Sequence, residues 1–189
     1  APEQIAAEGA AIKAVAFALG GTVERPTRSY VTFDAEGVGR LTRSETRINL
    51  MTRAETVSSR TTTLPALPAG TVASKVLLTA QADQVYVGSA DGTVLRFDTR
   101  DFNNPVLAET ARLTPEGVGL GVLGFRIGDQ TIVVGGTDGS LRMYFRLQPD
   151  NAGTVDGYKM VLTRELEAQP AGIVAYDVSQ RRKSLVTLD

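Results

Sequence analysis

Apolar residues along this chain come in short runs broken by small and polar residues, and one such figure occurs twice. QVYVGSADGTVLRF (84–97) and QTIVVGGTDGSLRMYF (130–145) each place an apolar, β-branched and aromatic run on either side of an Asp-Gly pair. Val, Ile, Tyr and Phe suit a pleated surface. Asp-Gly between two such runs is a strong short-range hairpin signal, because glycine takes positive φ at little cost. The pattern predicts β-hairpins over 84–98 and 130–147. Their runs are close to continuously apolar, as in strands covered on both faces. Asp91, Gly92, Asp138 and Gly139 are read as structural turn residues.

The repeat reaches beyond the hairpins. GTVASKVLLTAQAD (70–83) precedes the first and EGVGLGVLGFRIGD (116–129) the second, each supplying a strand. PVLAETARL (105–113) and GYKMVLTRELE (157–167) follow them as more exposed fourth strands. Four antiparallel strands recurring every 40–50 residues or so is the pattern of β-propeller blades. On that template EGAAIKAVAFALGG (8–21) is a first strand, RSYVTFDAEGVGRLTR (28–43) a hairpin turning near Glu36 and Gly37, and ETRINLMTRAE (45–55) an outer strand. A helix over 3–19 is the alternative for this alanine-rich stretch. SSRTTTLPALPAG (58–70) reads as a Pro-punctuated connection. AGIVAYDVSQRRKSLVTLD (171–189) begins a further unit. The predicted fold is all-β, one β-propeller-like domain over 1–189, with four-stranded blades at about 8–57, 71–113 and 116–167 and a fragment at 171–189.

Composition narrows the chemistry. The chain has 189 residues, with 20 Lys plus Arg against 21 Asp plus Glu, a net charge of −1. That balance gives no electrostatic case for nucleic acid or an anionic membrane. No apolar run approaches the roughly 20 residues a membrane helix needs. There is no Cys, His or Trp, so disulfides, thiolate metal sites and the commonest general base and zinc ligand are absent. A Ser-His-Asp or Cys-His arrangement is impossible. Asp34, Asp91 and Asp138 fall at similar turns, which makes shape the simpler role for them. GVGLGVLGF (117–125) lacks the Lys of a phosphate loop. The RRK run at 181–183 reads as a solvated turn, and Arg40, Arg43 and Arg47 suit cross-strand pairing with Asp34 and Glu45. No catalytic residue, cofactor or metal is expected.

VYVGSADGTVLRFD (85–98) is similar to blade motifs of WD40-like and quinoprotein-type propellers, without their Gly-His and Trp-Asp dipeptides or closing Trp. LGFRIGDQTIVVGGTDGSLRMYFRL (123–147) and DGYKMVLTRELEAQPAGIVAYDVSQRRKSLVTLD (156–189) resemble the large soluble insertion of bacterial phosphate-type ABC transporter permeases (PstC-like). Arg146, Glu165, Leu166, Ser179 and Lys183 fall at matching places, while the family's His and Trp are Arg164 and Tyr144 here. The resemblance implies a periplasmic domain of an inner-membrane permease, a docking or regulatory module for phosphate transport that is not itself catalytic. Its partners would be the permease's membrane part, the ATPase subunits and a periplasmic substrate-binding protein.

Two further readings stand beside that one. The chain could be a free-standing propeller scaffold of the cell envelope that binds proteins, or a propeller glycosidase using a carboxylate pair. An array that stops mid-blade implies a piece of a longer protein, with open sheet edges that would pair in a homodimer.

Overall fold

The computed structural model describes residues 10–126, 128–179 and 184–189, and the regular elements among them are all β-strands. The chain forms two compact units, Ala1–Val85 with Phe97–Val106, and Tyr86–Arg96 with Leu107–Asp189.

The first unit is built on a four-stranded sheet of β1 (Ile12–Gly21), β2 (Pro26–Asp34), β3 (Gly39–Ile48) and β4 (Glu55–Thr63), antiparallel and in chain order. The alanine-rich run is strand, not helix, from Ile12 onward, since pairing from Ile12 opposite Asp34 to Gly21 opposite Pro26 overrides its intrinsic propensity. Small residues occupy the covered face of β1, with Ala14 and Ala18 buried and Val15, Phe17 and Leu19 turned outward. A Cβ on Gly20 would come within 2.1 Å of the Ala80 carbonyl oxygen, so only glycine admits that approach. Val31, Phe33, Leu41 and Phe97 form the buried centre of this unit, with the Phe33 and Phe97 rings 6.4 Å apart.

The outer strand of this sheet differs from the sequence expectation. Residues 45–48 continue β3, a turn follows, and the outer strand is β4 at Glu55–Thr63, inside the stretch expected to be a connection. Its sequence, ETVSSRTTT, is polar and almost wholly exposed, so it lacks the apolar alternation that marks a half-buried strand. Its Thr and Val content carries the β preference instead.

A second sheet has the order β5 (Lys75–Leu78), β6 (Gln84–Gly88), β7 (Thr93–Asp98) and β8 (Val106–Arg112). Every residue of β6 is buried, and so is every residue of β7 after Thr93. In the second unit, β9 (Leu120–Phe125), β10 (Thr131–Gly136), β11 (Leu141–Leu147) and β12 (Lys159–Leu166) form a third antiparallel sheet in the order β12-β11-β10-β9. β13 (Ala175–Ser179) and β14 (Ser184–Leu188) pair as a two-stranded ribbon. Close approach to the ribbon's leading segment depends on glycine: a Cβ on Gly121 would lie 2.1 Å from the Ile173 carbonyl oxygen. The RRK run and the initial residues 1–9 lie outside the described residues.

Candidate functional site

The three hairpin turns share one backbone plan. In the second sheet the Gly92 amide donates to the Ser89 carbonyl at 3.1 Å, and the Ser89 amide to the Thr93 carbonyl at 2.8 Å. The third sheet repeats this with Gly139 on Gly136 at 3.2 Å and Gly136 on Ser140 at 2.8 Å, and the first with Gly37 on Asp34 at 3.1 Å and Asp34 on Val38 at 3.2 Å. Gly37, Gly92 and Gly139 have φ of +79°, +94° and +80°, the left-handed region that favours glycine.

The carboxylates close these turns in two ways. Asp91 accepts the Thr93 amide at 3.0 Å and the Thr93 hydroxyl at 3.0 Å. Asp138 accepts the Ser140 amide at 3.1 Å together with the Ser140 hydroxyl. In the first sheet the matching position is held by Glu36, and Asp34 caps the turn from two residues earlier. Asp34 accepts the amides of Glu36 at 3.0 Å and Val38 at 2.9 Å and the Arg40 guanidinium at 3.0 Å. Asp34 therefore does not stand where Asp91 and Asp138 do.

These contacts shift the carboxyls. Burial works to raise Asp34, but the Val38 amide, Arg40 and the Glu36 amide hold it below its ordinary value. The Thr93 amide lowers Asp91 against burial. Burial raises Asp138, and the Ser140 hydroxyl and amide and Arg142 outweigh it. A carboxyl depressed in the folded state contributes stability that is complete above its unfolded pKa, about 3.9, and is lost as pH falls through the folded value. Urea midpoints should therefore drop as pH is lowered below about 4. An Asp34→Asn variant should be less stable at pH 7 and should lose less over the same interval. Equal slopes for both proteins would remove Asp34 from the titrating set.

A larger polar assembly lies in the second unit. The Arg96 side chain on β7 is wholly buried and donates to Glu109 of β8 at 3.1 Å and to Asp156 at 2.6 and 2.9 Å. It also donates to the Tyr158 carbonyl at 2.7 Å, while Glu109 accepts the Met160 amide at 3.0 and 3.1 Å. Burial opposes the charge on Arg96, but Asp156 and then Glu109 raise its pKa above the ordinary value. Burial works to raise Asp156, and Arg96 outweighs it and holds that carboxyl low. Sequence reasoning missed this triad. Its one signal is Asp156-Gly157, the third Asp-Gly pair of the chain, which forms a turn with Gly157 at φ +75°.

Little of this is available for chemistry. Glu109 and Asp156, a buried carboxylate pair, are both occupied by Arg96. Among the described residues no group of three or more Cys, Asp or Glu side chains is arranged to hold a metal ion. Concavities open beside the 148–157 loop (about 700 Å³), beside Leu64 and Leu67 (about 430 Å³), and among Arg43, Arg47 and Arg60 (about 330 Å³).

The backbone finds its likeness in solved propellers. Sqt1 of Saccharomyces cerevisiae superposes with a TM-score of 0.57 over 89% of this chain at 13% identity. The Dos1 propeller does so with a TM-score of 0.52 over 93% at 12% identity. The chain has a partial, propeller-like fold of the WD40 kind. It spans 38% of the length of each of these proteins. No family model and no curated protein matches it.

These comparisons overturn the permease resemblance. The structural neighbours are propellers, not transporter components, and no family match supports a PstC-like domain. The inner-membrane and periplasmic placement and the phosphate-transport role fall with it. So do the expected partners, namely the permease's membrane part, its ATPase subunits and a substrate-binding protein, and the edge-paired homodimer has no support among the neighbours. No helix among the described residues is long and apolar enough to cross a membrane. The matched residues have local tasks in the sheet. Arg146 lies over the Tyr158 ring at 5.0 Å, and Glu165 pairs with Arg142 at 2.7 Å. Lys183 lies outside the described residues.

Proposed function

We propose that the chain is a non-catalytic, propeller-type scaffold that binds other proteins. The observation that carries this reading is where the polar groups are engaged. Asp34, Asp91 and Asp138 hold their own turns, and Glu109 and Asp156 neutralise Arg96, so none of these carboxylates is left free to act in a hydrolytic pair. The outer strands β4 and β12 meanwhile expose polar side chains along most of their length. Loops and edges on a rigid scaffold are the usual place for recognition. The repeats at about 8–57, 71–113 and 116–167, the first extended to Thr63 to take in β4, and the fragment at 171–189 form one propeller-like domain on this reading.

The test is photo-crosslinking in the native host from three exposed positions, Ser58 on β4, Asn151 in the 148–157 loop and Glu167 after β12. Discrete polypeptide adducts from at least one position, with no turnover of a glycoside panel by the purified chain, are the expected result. Turnover that survives purification, with no adduct at any position, overturns the scaffold reading.

A further inference from the structure

The β3–β4 side of the first sheet carries two positive charges that no carboxylate pairs among the described residues. In the antiparallel register of β3 and β4, Arg43 stands directly opposite Arg60, and like charges so placed repel. Both guanidinium groups lie over the Phe102 ring, at 5.6 Å for Arg43 and 4.3 Å for Arg60. Arg43 is further anchored to the Gln81 carbonyl and, at 3.2 Å, to that of Ala82. Burial and then the Arg60 charge hold the Arg43 guanidinium below its ordinary pKa, against the weaker pull of Asp83 and Glu45. Arg60 makes no ion pair among the described residues and lines the concavity of about 330 Å³. Of the charged groups lining that concavity, Glu45 is the single carboxylate, and Arg47 holds it at 2.9 Å. Arg43 and Arg60 thus remain as two positive charges without an ion-pair partner among the described residues, beside Thr27 and Ser58.

The backbone next to them is open. β4 is the end strand of its sheet, paired with β3 alone, and every residue from Glu55 to Thr61 is exposed. Such an edge presents a row of amides and carbonyls able to accept one more strand.

We infer that the β4 edge takes an acidic peptide in extended form, its backbone pairing with β4 and a carboxylate side chain reaching Arg43 and Arg60. The inference rests on the scaffold reading and names the chemistry of one partner. Carboxylate suits the site because two planar guanidinium groups fixed on one ring give charge-assisted, directional bonds. Occupancy by an anion removes the cross-strand repulsion between the two arginines.

The experiment is fluorescence anisotropy of the 189-residue chain with a labelled octapeptide of alternating Glu and Thr. The wild type should bind it, more weakly as salt rises. Arg60→Glu should weaken binding by roughly tenfold or more, and Arg164→Glu, an exposed change in the second unit, should leave it unchanged. N-methylation of alternate peptide amides should abolish binding, since it removes the donors that strand addition needs. Equal binding by wild type and Arg60→Glu, or none by the wild type, overturns the inference. Complete displacement by millimolar inorganic phosphate with no effect of N-methylation overturns it in favour of a small-anion site. Failure here, with crosslinked adducts persisting from Asn151 or Glu167, leaves the scaffold reading standing and removes only the β4 site.

Discussion

Replacing Arg96 by Ala is expected to destabilise the protein by about 3–5 kcal/mol, because it leaves two buried carboxylates without their cation. Glu109 and Asp156 are nearly inaccessible, with side-chain exposures of 4% and 3%, and Arg96 itself has 0%. With the guanidinium gone, both carboxylates stand in a closed site short of hydrogen-bond donors. The melting temperature should fall by roughly 10 °C for a chain of this size. Arg96→Lys restores one charge but not the fork that reaches Glu109, Asp156 and the Tyr158 carbonyl at once, so it should fall between Ala and wild type. Thermal unfolding by circular dichroism decides the matter. An Arg96→Ala protein within about 1 kcal/mol of wild type would mean that the carboxylates are solvated in solution. The same change should speed proteolysis in the 148–157 loop, which Asp156 fastens to β7.

Gly139→Ala is the second large effect. At φ +80° an L side chain already costs about 1–2 kcal/mol. Here its Cβ would also meet the Gln169 carbonyl oxygen at 2.2 Å and that of Ala171 at 2.7 Å. Backbone carbonyls cannot rotate aside as a side chain can, so the segment leading into β13 must move. The Gly139 carbonyl accepts the Gln169 amide at 2.9 Å, and that bond moves with it. A total loss of about 3 kcal/mol or more is expected. Gly117 provides the control, since it has φ +79° with nothing within 4 Å of its Cβ position. Gly117→Ala should cost only the conformational part, and the difference between the two urea midpoints isolates the steric part. Equal losses at both positions would show that the 169–171 segment yields freely.

Hairpins were legible because their instructions are local. Asp91-Gly92 and Asp138-Gly139 sit within a few residues of every atom that the turn requires, so the string alone suffices to place them. β4 was hidden for the opposite reason: an exposed strand of Ser, Thr and Arg has no apolar period, and its place is set by pairing with β3. The Arg96 triad draws on residues 13 and 60 positions away, a spacing that no short motif encodes. The permease resemblance rested on a run whose content is strand, turn and strand. Arg146 and Glu165 make local contacts, with the Tyr158 ring and with Arg142, so the match reported architecture and not occupation. Nothing in the sequence brought Arg43, Arg60 and Phe102 together, since Phe102 comes from a loop outside the first sheet.

The self-sufficiency of the turns bears on how such a chain could arise. The Asp91-Gly92 and Asp138-Gly139 hairpins satisfy their carboxylates with the amide and hydroxyl of the residue two positions on, so a duplicated stretch of gene carries the local instructions for its own bend. Copies can then differ at exposed positions around the bend, while buried strand residues and the glycines at close approaches stay constrained. The Arg96 triad, by contrast, joins residues 13 and 60 positions apart, so no duplicated hairpin could carry it alone.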